Sequence, residues 1–124
     1  MVNVALIALC GGLGCLSRYF LSGWVYDWLG KGFPFGTLAV NILGAFIIGF
    51  LMEFSLHSTL IPPSLRIGLT VGFLGGLTTF STFSYETFRL IEDGEILFAG
   101  INAAGSVVVC VFFAWVGIIL ARAI

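Results

Sequence analysis

Apolar residues in this chain are gathered into four long runs, parted by short loops of charged and turn residues, and that arrangement leaves few folds open. A bilayer-spanning helix needs about 20 residues, so four of them take about 80 of the 124 residues and leave room for turns. A fifth would leave too little chain to hold the charges. Hydrophobic residues make up 60% of the sequence and charged ones 9%, where an ordinary soluble domain has about 25% charged. Such a chain has no polar coat for a soluble fold. The expected spans are about 2–25, 35–54, 65–90 and 96–121, in one all-α membrane domain over residues 1–124. Asp27, Gly30, Lys31 and Gly32 close the first, and Glu53, His57 and Pro62-Pro63 close the second. Ser64 stands where it can N-cap the third, and Glu92-Asp93-Gly94-Glu95 forms an acidic turn before the fourth. His57 is expected to be solvated.

Five Lys and Arg against six Asp and Glu give a net charge of −1, which sets aside nucleic acid and anionic surfaces as partners. Cys10, Cys15 and Cys110 lie inside apolar runs without metal-ligand spacing, and read as small packing residues. No Lys or Arg precedes Arg18, so the first run lacks the basic flank of a signal peptide and is expected to stay. Within the spans there is no His beside Cys or Ser, no carboxylate pair and no metal motif, so an enzyme is not expected. Lys31 and Arg89 fall on one side of the bilayer, Arg66 and Arg122 on the other. Two against two is almost no orientation bias, which permits insertion both ways and pairing with an inverted copy.

Small residues recur at helical spacing: Gly68, Gly72 and Gly76; Thr37, Asn41, Ala45 and Gly49; Asn102, Ser106, Cys110 and Ala114. In lipid such stripes let helices approach closely. Asn41 and Asn102 call for more than packing, because an amide in hydrocarbon needs partners.

The third run holds the chemistry. Gly75-Gly76 is followed by Thr78, Thr79, Ser81, Thr82 and Ser84, then Glu86. Paired glycines weaken a helix by about 1 kcal/mol each relative to Ala, and hydroxyls can satisfy backbone groups that a break sets free. A helix broken at Gly75-Gly76 is expected, with a kinked packing helix as the plainer alternative. Phe80 and Phe83 share one helical face, and their ring edges carry positive potential that an anion can contact. Glu86 is costly in a span unless paired or hydrated, and so is Arg18. Arg18 can snorkel, cap carbonyls at the break or raise the potential for an anion.

With these residues in view, the sequence resembles the Fluc (CrcB) fluoride channels. The likeness rests on Gly11-Gly-Leu-Gly14 through Arg18, on Pro34-Phe-Gly36-Thr37-Leu-Ala-Val-Asn41 with Gly44 and Gly49, and above all on Gly72 to Glu86. The fourth run matches in general character only, with Cys110 where members often carry a hydroxyl. The resemblance implies an antiparallel, dual-topology homodimer of four-helix subunits in the microbial inner membrane, with a broken third helix. It implies a structural Na⁺ at the dimer centre, held by the backbone carbonyls of Gly75 and Thr78, and passive export of cytoplasmic fluoride. The fluoride pathway would then use Asn41, Phe80 and Phe83, with Ser81, Thr82, Thr37 and Glu86 as further polar lining. Arg18 would have a structural or electrostatic part. Two other classes are open to a four-span chain. A proton-coupled drug exporter needs an ionisable residue in its binding cavity, and the first span offers Arg18 and no carboxylate. A purely structural subunit predicts that Phe80 and Asn41 are dispensable.

Overall fold

A computed structural model describes residues 1–124 as helices joined by short loops. Helix α1 is Val2–Leu29 and α2 is Phe35–His57. The third span comes in two pieces: α3, residues 63–77, and α4, Phe80–Glu92. The last helix, α5, is Ile96–Ala123. Val2–Leu29, Phe35–His57, Pro63–Glu92 and Ile96–Ala123 are each long and apolar enough to cross a membrane. The chain is therefore all-helical with four membrane-spanning segments.

Helix ends differ from expectation for local reasons. α1 runs on through Asp27 and stops at Gly30, whose φ of 82° is left-handed backbone that glycine adopts without strain. In α3, Pro62 takes the N-cap and Pro63 the first helical position, so Ser64 lies inside the first turn and does not cap. Proline suits that position because its fixed φ is helical and it has no N–H to leave unpaired. Two stretches widen to π geometry, Gly68–Leu74 in α3 and Ile101–Gly105 in α5.

The glycine stripes decide which helix lies on which. A Cβ on Gly72 would come within 2.8 Å of the Ile7 carbonyl oxygen, and one on Gly76 within 2.5 Å of the Gly11 carbonyl oxygen. From the other side, a Cβ on Gly14 would fall 2.1 Å from the Phe73 carbonyl oxygen. Backbone meets backbone along α1 and α3, with Cys10 and Cys15 filling the gaps. The same device joins α2 to α5: Gly49 faces the Ala114 carbonyl and Gly117 that of Phe46. Between the two pairs lies a small core of Val40, Leu51, Leu74 and Leu77. Glu53 clips the far end of α2 to α5, accepting from Arg122 Nε at 2.8 Å and lying 3.2 Å from His57 Nε2. His57 thus sits in the last turn of α2 beside a carboxylate and is solvated as expected. Only 19 of 124 residues are buried, so most large apolar side chains face outward, to lipid or to another subunit.

Candidate functional site

The site grows from the gap between α3 and α4. Gly75 and Gly76 do not make the gap: Gly75 keeps helical angles, φ −63° and ψ −35°. The chain leaves the helix at Thr78 (φ −88°, ψ 156°) and Thr79 (φ −151°, ψ 121°). The break is three residues beyond the expected place because a partner for the backbone is waiting there. Asn41 Oδ1 accepts from the Thr79 N–H at 2.8 Å, and Asn41 Nδ2 donates to the Thr79 carbonyl at 3.1 Å. One amide side chain thus satisfies both backbone groups of one extended residue, as a neighbouring strand would. Thr79 also N-caps α4, its hydroxyl accepting from the Thr82 N–H at 3.2 Å. Thr78 tucks its hydroxyl back onto the Leu74 carbonyl at 2.8 Å. The Thr78 methyl fills the space over Gly44, where a Cβ would be 2.1 Å away.

Diverting the Thr79 N–H to Asn41 takes it from the Gly75 carbonyl, its acceptor in a continuous helix. The Thr78 carbonyl receives no hydrogen bond from the chain. Gly75 lies exposed, with nothing within 4 Å of where its Cβ would stand.

Two cavities flank the break. One, of about 430 Å³, is lined by Asn41, Gly75, Thr78, Phe80, Phe83 and Ser106, among others, and by no charged side chain. Phe80 and Phe83 stand 5.5 Å apart, ring centre to ring centre, and Phe80 is 77% exposed. The second, of about 340 Å³, has Arg18, Thr37, Thr82 and Glu86 in its walls. Thr79, itself buried, belongs to both. The residues expected along one pathway therefore divide, with Asn41, Phe80 and Phe83 on one side of Thr79 and Thr37, Thr82 and Glu86 on the other. Ser81 lines neither; it is exposed, with its hydroxyl 3.3 Å from that of Thr79.

Glu86 is paired with hydroxyls. Thr37 Oγ1 donates to its Oε1 at 2.8 Å, and Tyr26 Oη lies 3.1 and 3.2 Å from its two oxygens. Arg18 is half-buried and meets only Cys15 Sγ, at 4.0 Å. It caps no carbonyl of the break, where Asn41 Nδ2 meets that of Thr79 and those of Gly75 and Thr78 receive no bond, so of the three parts open to Arg18 that one falls away. Asn102 is 2% exposed, donating to Thr87 Oγ1 at 2.8 Å and accepting from Ser106 Oγ at 3.2 Å. Its amide ties α5 to α4 at the level of Phe83, whose carbonyl accepts from Thr87. The sequence shows Thr79 only as one of several hydroxyls near the break, and does not single out Tyr26. The cap pattern of a Thr just before an amphipathic stretch could have found Thr79, but nothing in the sequence marks Tyr26 as the partner of a glutamate 60 residues away.

Comparison with known proteins adds an independent line. The family model described as CrcB-like protein, Camphor Resistance (CrcB), matches residues 5–118. A protein of Geotalea daltonii bearing the name Fluoride-specific ion channel FluC is 66% identical, over 98% of this chain and 98% of its own. Proteins with the same name from Geotalea uraniireducens (66% identical, all of both chains) and Geobacter metallireducens (65%, 98% of both) are similar to the same extent.

Proposed function

The chain belongs to the CrcB-like protein family, and from that premise we propose that it is a fluoride-specific ion channel of the cell's inner membrane, not an enzyme. It lets cytoplasmic fluoride leave passively down its electrochemical gradient and so lowers fluoride toxicity. The observation that carries this reading is the uncharged cavity beside the Asn41-clamped break, with two phenylalanines in its wall. A fluoride ion gives up strong hydration on entry, and a narrow path must replace that shell with donors. Asn41 Nδ2 has a second N–H beyond the one given to Thr79. Phe80 and Phe83 add positive ring edges. A Lys or Arg at that point would hold the ion too tightly, since conduction needs binding weak enough to reverse. On the other side of Thr79, the Thr82 hydroxyl continues the lining, and half-buried Arg18 raises the potential for an anion.

The working unit is an antiparallel homodimer. Exposed Phe80 and Gly75, and the near absence of charge bias between the two membrane sides, support a partner that covers the open cavity. A structural Na⁺ at the dimer centre fits the donors present. The carbonyls of Gly75 and Thr78 are released from helical pairing, and neutral oxygens freed at a helix break suit Na⁺. No cluster of His, Cys, Asp or Glu offers a competing metal site. Bound there, the ion would bridge the two subunits and hold the breaks together.

The deciding experiment is fluoride efflux from liposomes that contain the purified protein, followed with a fluoride electrode, against chloride as the control anion. Rapid fluoride efflux without chloride efflux is expected; equal or absent flux overturns the reading. Orientation is tested with reporters fused after Ile124, which should be found on both sides of the membrane. A single exclusive orientation refutes the antiparallel pair.

A further inference from the structure

The second cavity has a neighbour. Toward the loop end of α1 and α4, a space of about 610 Å³ is lined by Lys31, Arg89, Asp93 and Glu95, and it shares two residues with the cavity that holds Arg18 and Thr82: Tyr26 and Glu86. This pair is where the two spaces meet. On the inner side stands Arg18, without a carboxylate partner. On the outer side stand Lys31 and Arg89, the latter bonded to Glu92 at 2.9 Å. Arg18 draws an anion toward the junction from the inner side, Lys31 and Arg89 on the outer side are matched by Asp93 and Glu95, and at the junction itself sits a carboxylate that repels it.

The carboxylate is held there by design of the surrounding chain. Tyr26 Oη reaches both of its oxygens, at 3.1 and 3.2 Å, and also lies 3.3 Å from Thr37 Oγ1, which donates to Oε1 at 2.8 Å. The tyrosine ring lies against bare backbone: a Cβ on Gly36 would come within 2.4 Å of Tyr26 Cε2. No larger residue at position 36 leaves room for the ring in this pose. α1 must also run past its expected end at Val25 to carry Tyr26, which it does by continuing to Leu29.

We propose that Tyr26 is a positioning residue that latches Glu86 across the junction of the two cavities, so that an ion moving between the protein interior and the loop-side mouth passes only when the latch parts. The proposal rests on the reading of this chain as a fluoride channel. Tyr26 touches no ion. It acts through Glu86, by holding the negative charge in the junction; without its hydroxyl the carboxylate keeps Thr37 alone and swings toward Lys31 and the aqueous mouth.

Tyr26→Phe keeps the ring over Gly36 and removes the latch. In the liposome assay, Tyr26→Phe should raise fluoride efflux about tenfold, the factor that ~1.4 kcal/mol off a barrier gives. Tyr85→Phe is the control, since Tyr85 is exposed on α4 and its hydroxyl bonds nothing; its efflux should match the parent. An infrared spectrum supplies a readout that mere loosening of the fold would not move. The Glu86 carboxylate stretch, assigned by its disappearance in Glu86→Gln, should shift in Tyr26→Phe and stay in place in Tyr85→Phe. If Tyr26→Phe does not fold, Thr37→Val removes the other hydroxyl and should give the same rise and the same band shift. Efflux at or below the parental rate in a folded latch variant, or an unmoved carboxylate band, overturns the proposal. A parent that conducts no fluoride overturns the channel reading, and this proposal with it.

Discussion

Replacing Asn41 by Leu keeps the branched shape of the side chain and takes away both bonds to Thr79. The Thr79 N–H and carbonyl are then left without partners in a residue that is 8% exposed. An orphaned buried polar group costs about 1–3 kcal/mol, so two cost about 2–6 kcal/mol. The cavity of about 430 Å³ that Asn41 lines can admit water to one of the two groups, which leaves one orphan and an expected loss of about 1–3 kcal/mol. A second route of relief is open to the chain: the freed Thr79 N–H can return to the Gly75 carbonyl and close the helix across the break. Closing it rotates Phe80 and Phe83 away from the cavity, so either outcome removes flux. Thermal unfolding in detergent, read by circular dichroism, should show a lower midpoint or a gain in helix, and fluoride efflux should fall to background. The conservative Asn41→Asp retains the acceptor for the Thr79 N–H but turns a second oxygen toward the Thr79 carbonyl, so it should recover little. Parental stability together with parental flux in Asn41→Leu would refute the argument that this one amide sets the break.

Phe80→Ile and Phe83→Ile keep the site apolar and remove the ring quadrupole, so both should assemble as the parent does while fluoride efflux falls sharply; parental efflux returns the pair to a packing role. Gly14→Ala should cost about 3 kcal/mol through overpacking, because its Cβ would fall 2.1 Å from the Phe73 carbonyl oxygen, whereas Gly12→Ala on the same helix meets nothing within 4 Å. Detergent unfolding that ranks the two variants equally would count against the α1–α3 contact. Gly75→Ala should fold as a subunit, since nothing of its own chain lies near, yet weaken subunit association, measured by crosslinking; unchanged association removes Gly75 from the interface. Prolonged replacement of Na⁺ by a large organic cation should lower dimer stability, because an ion that binds only the assembled state stabilises it by mass action; indifference after full exchange speaks against a central cation.

The spans were legible because hydropathy acts over 20 residues and needs no knowledge of neighbours. The glycine stripe at 68, 72 and 76 was legible as a contact face for the same reason, although its partner, α1, was not. What escaped the sequence were matters of pairing. Gly75-Gly76 reads as the weak point because glycine propensity is local, but both residues stay helical, Gly76 against α1 and Gly75 exposed, and the break falls at the residue with an outside partner, Thr79. That partner comes from another helix, 38 residues earlier. Glu86 was legible as a group in need of company, and the company, Tyr26 and Thr37, again comes from other helices. The π turn at Ile101–Gly105, which sets Asn102 toward Thr87, has no signature in apolar periodicity, because a single wide turn shifts the phase too little to register.

Why the third span breaks at all follows from which helix each half must pack against. α3 is committed to α1: its glycines lie on bare α1 backbone, and any roll of α3 would drive a carbonyl into the Gly14 position. α4 has different neighbours, meeting α2 through Glu86 and Thr37 and α5 through Thr87 and Asn102. One continuous helix has one phase, and these two sets of contacts require two. Two extended residues reset the phase, at the cost of exposing backbone groups inside the membrane, where each would be expensive if unpaired. Asn41 and the Thr79 hydroxyl remove that cost from inside the subunit on one face of the break. The carbonyls of Gly75 and Thr78 lie outside the reach of both. Polar oxygen on an otherwise apolar outer surface is tolerable only where something other than lipid covers it, so the break that the glycine packing imposes suits the partner subunit and the cation proposed for that position.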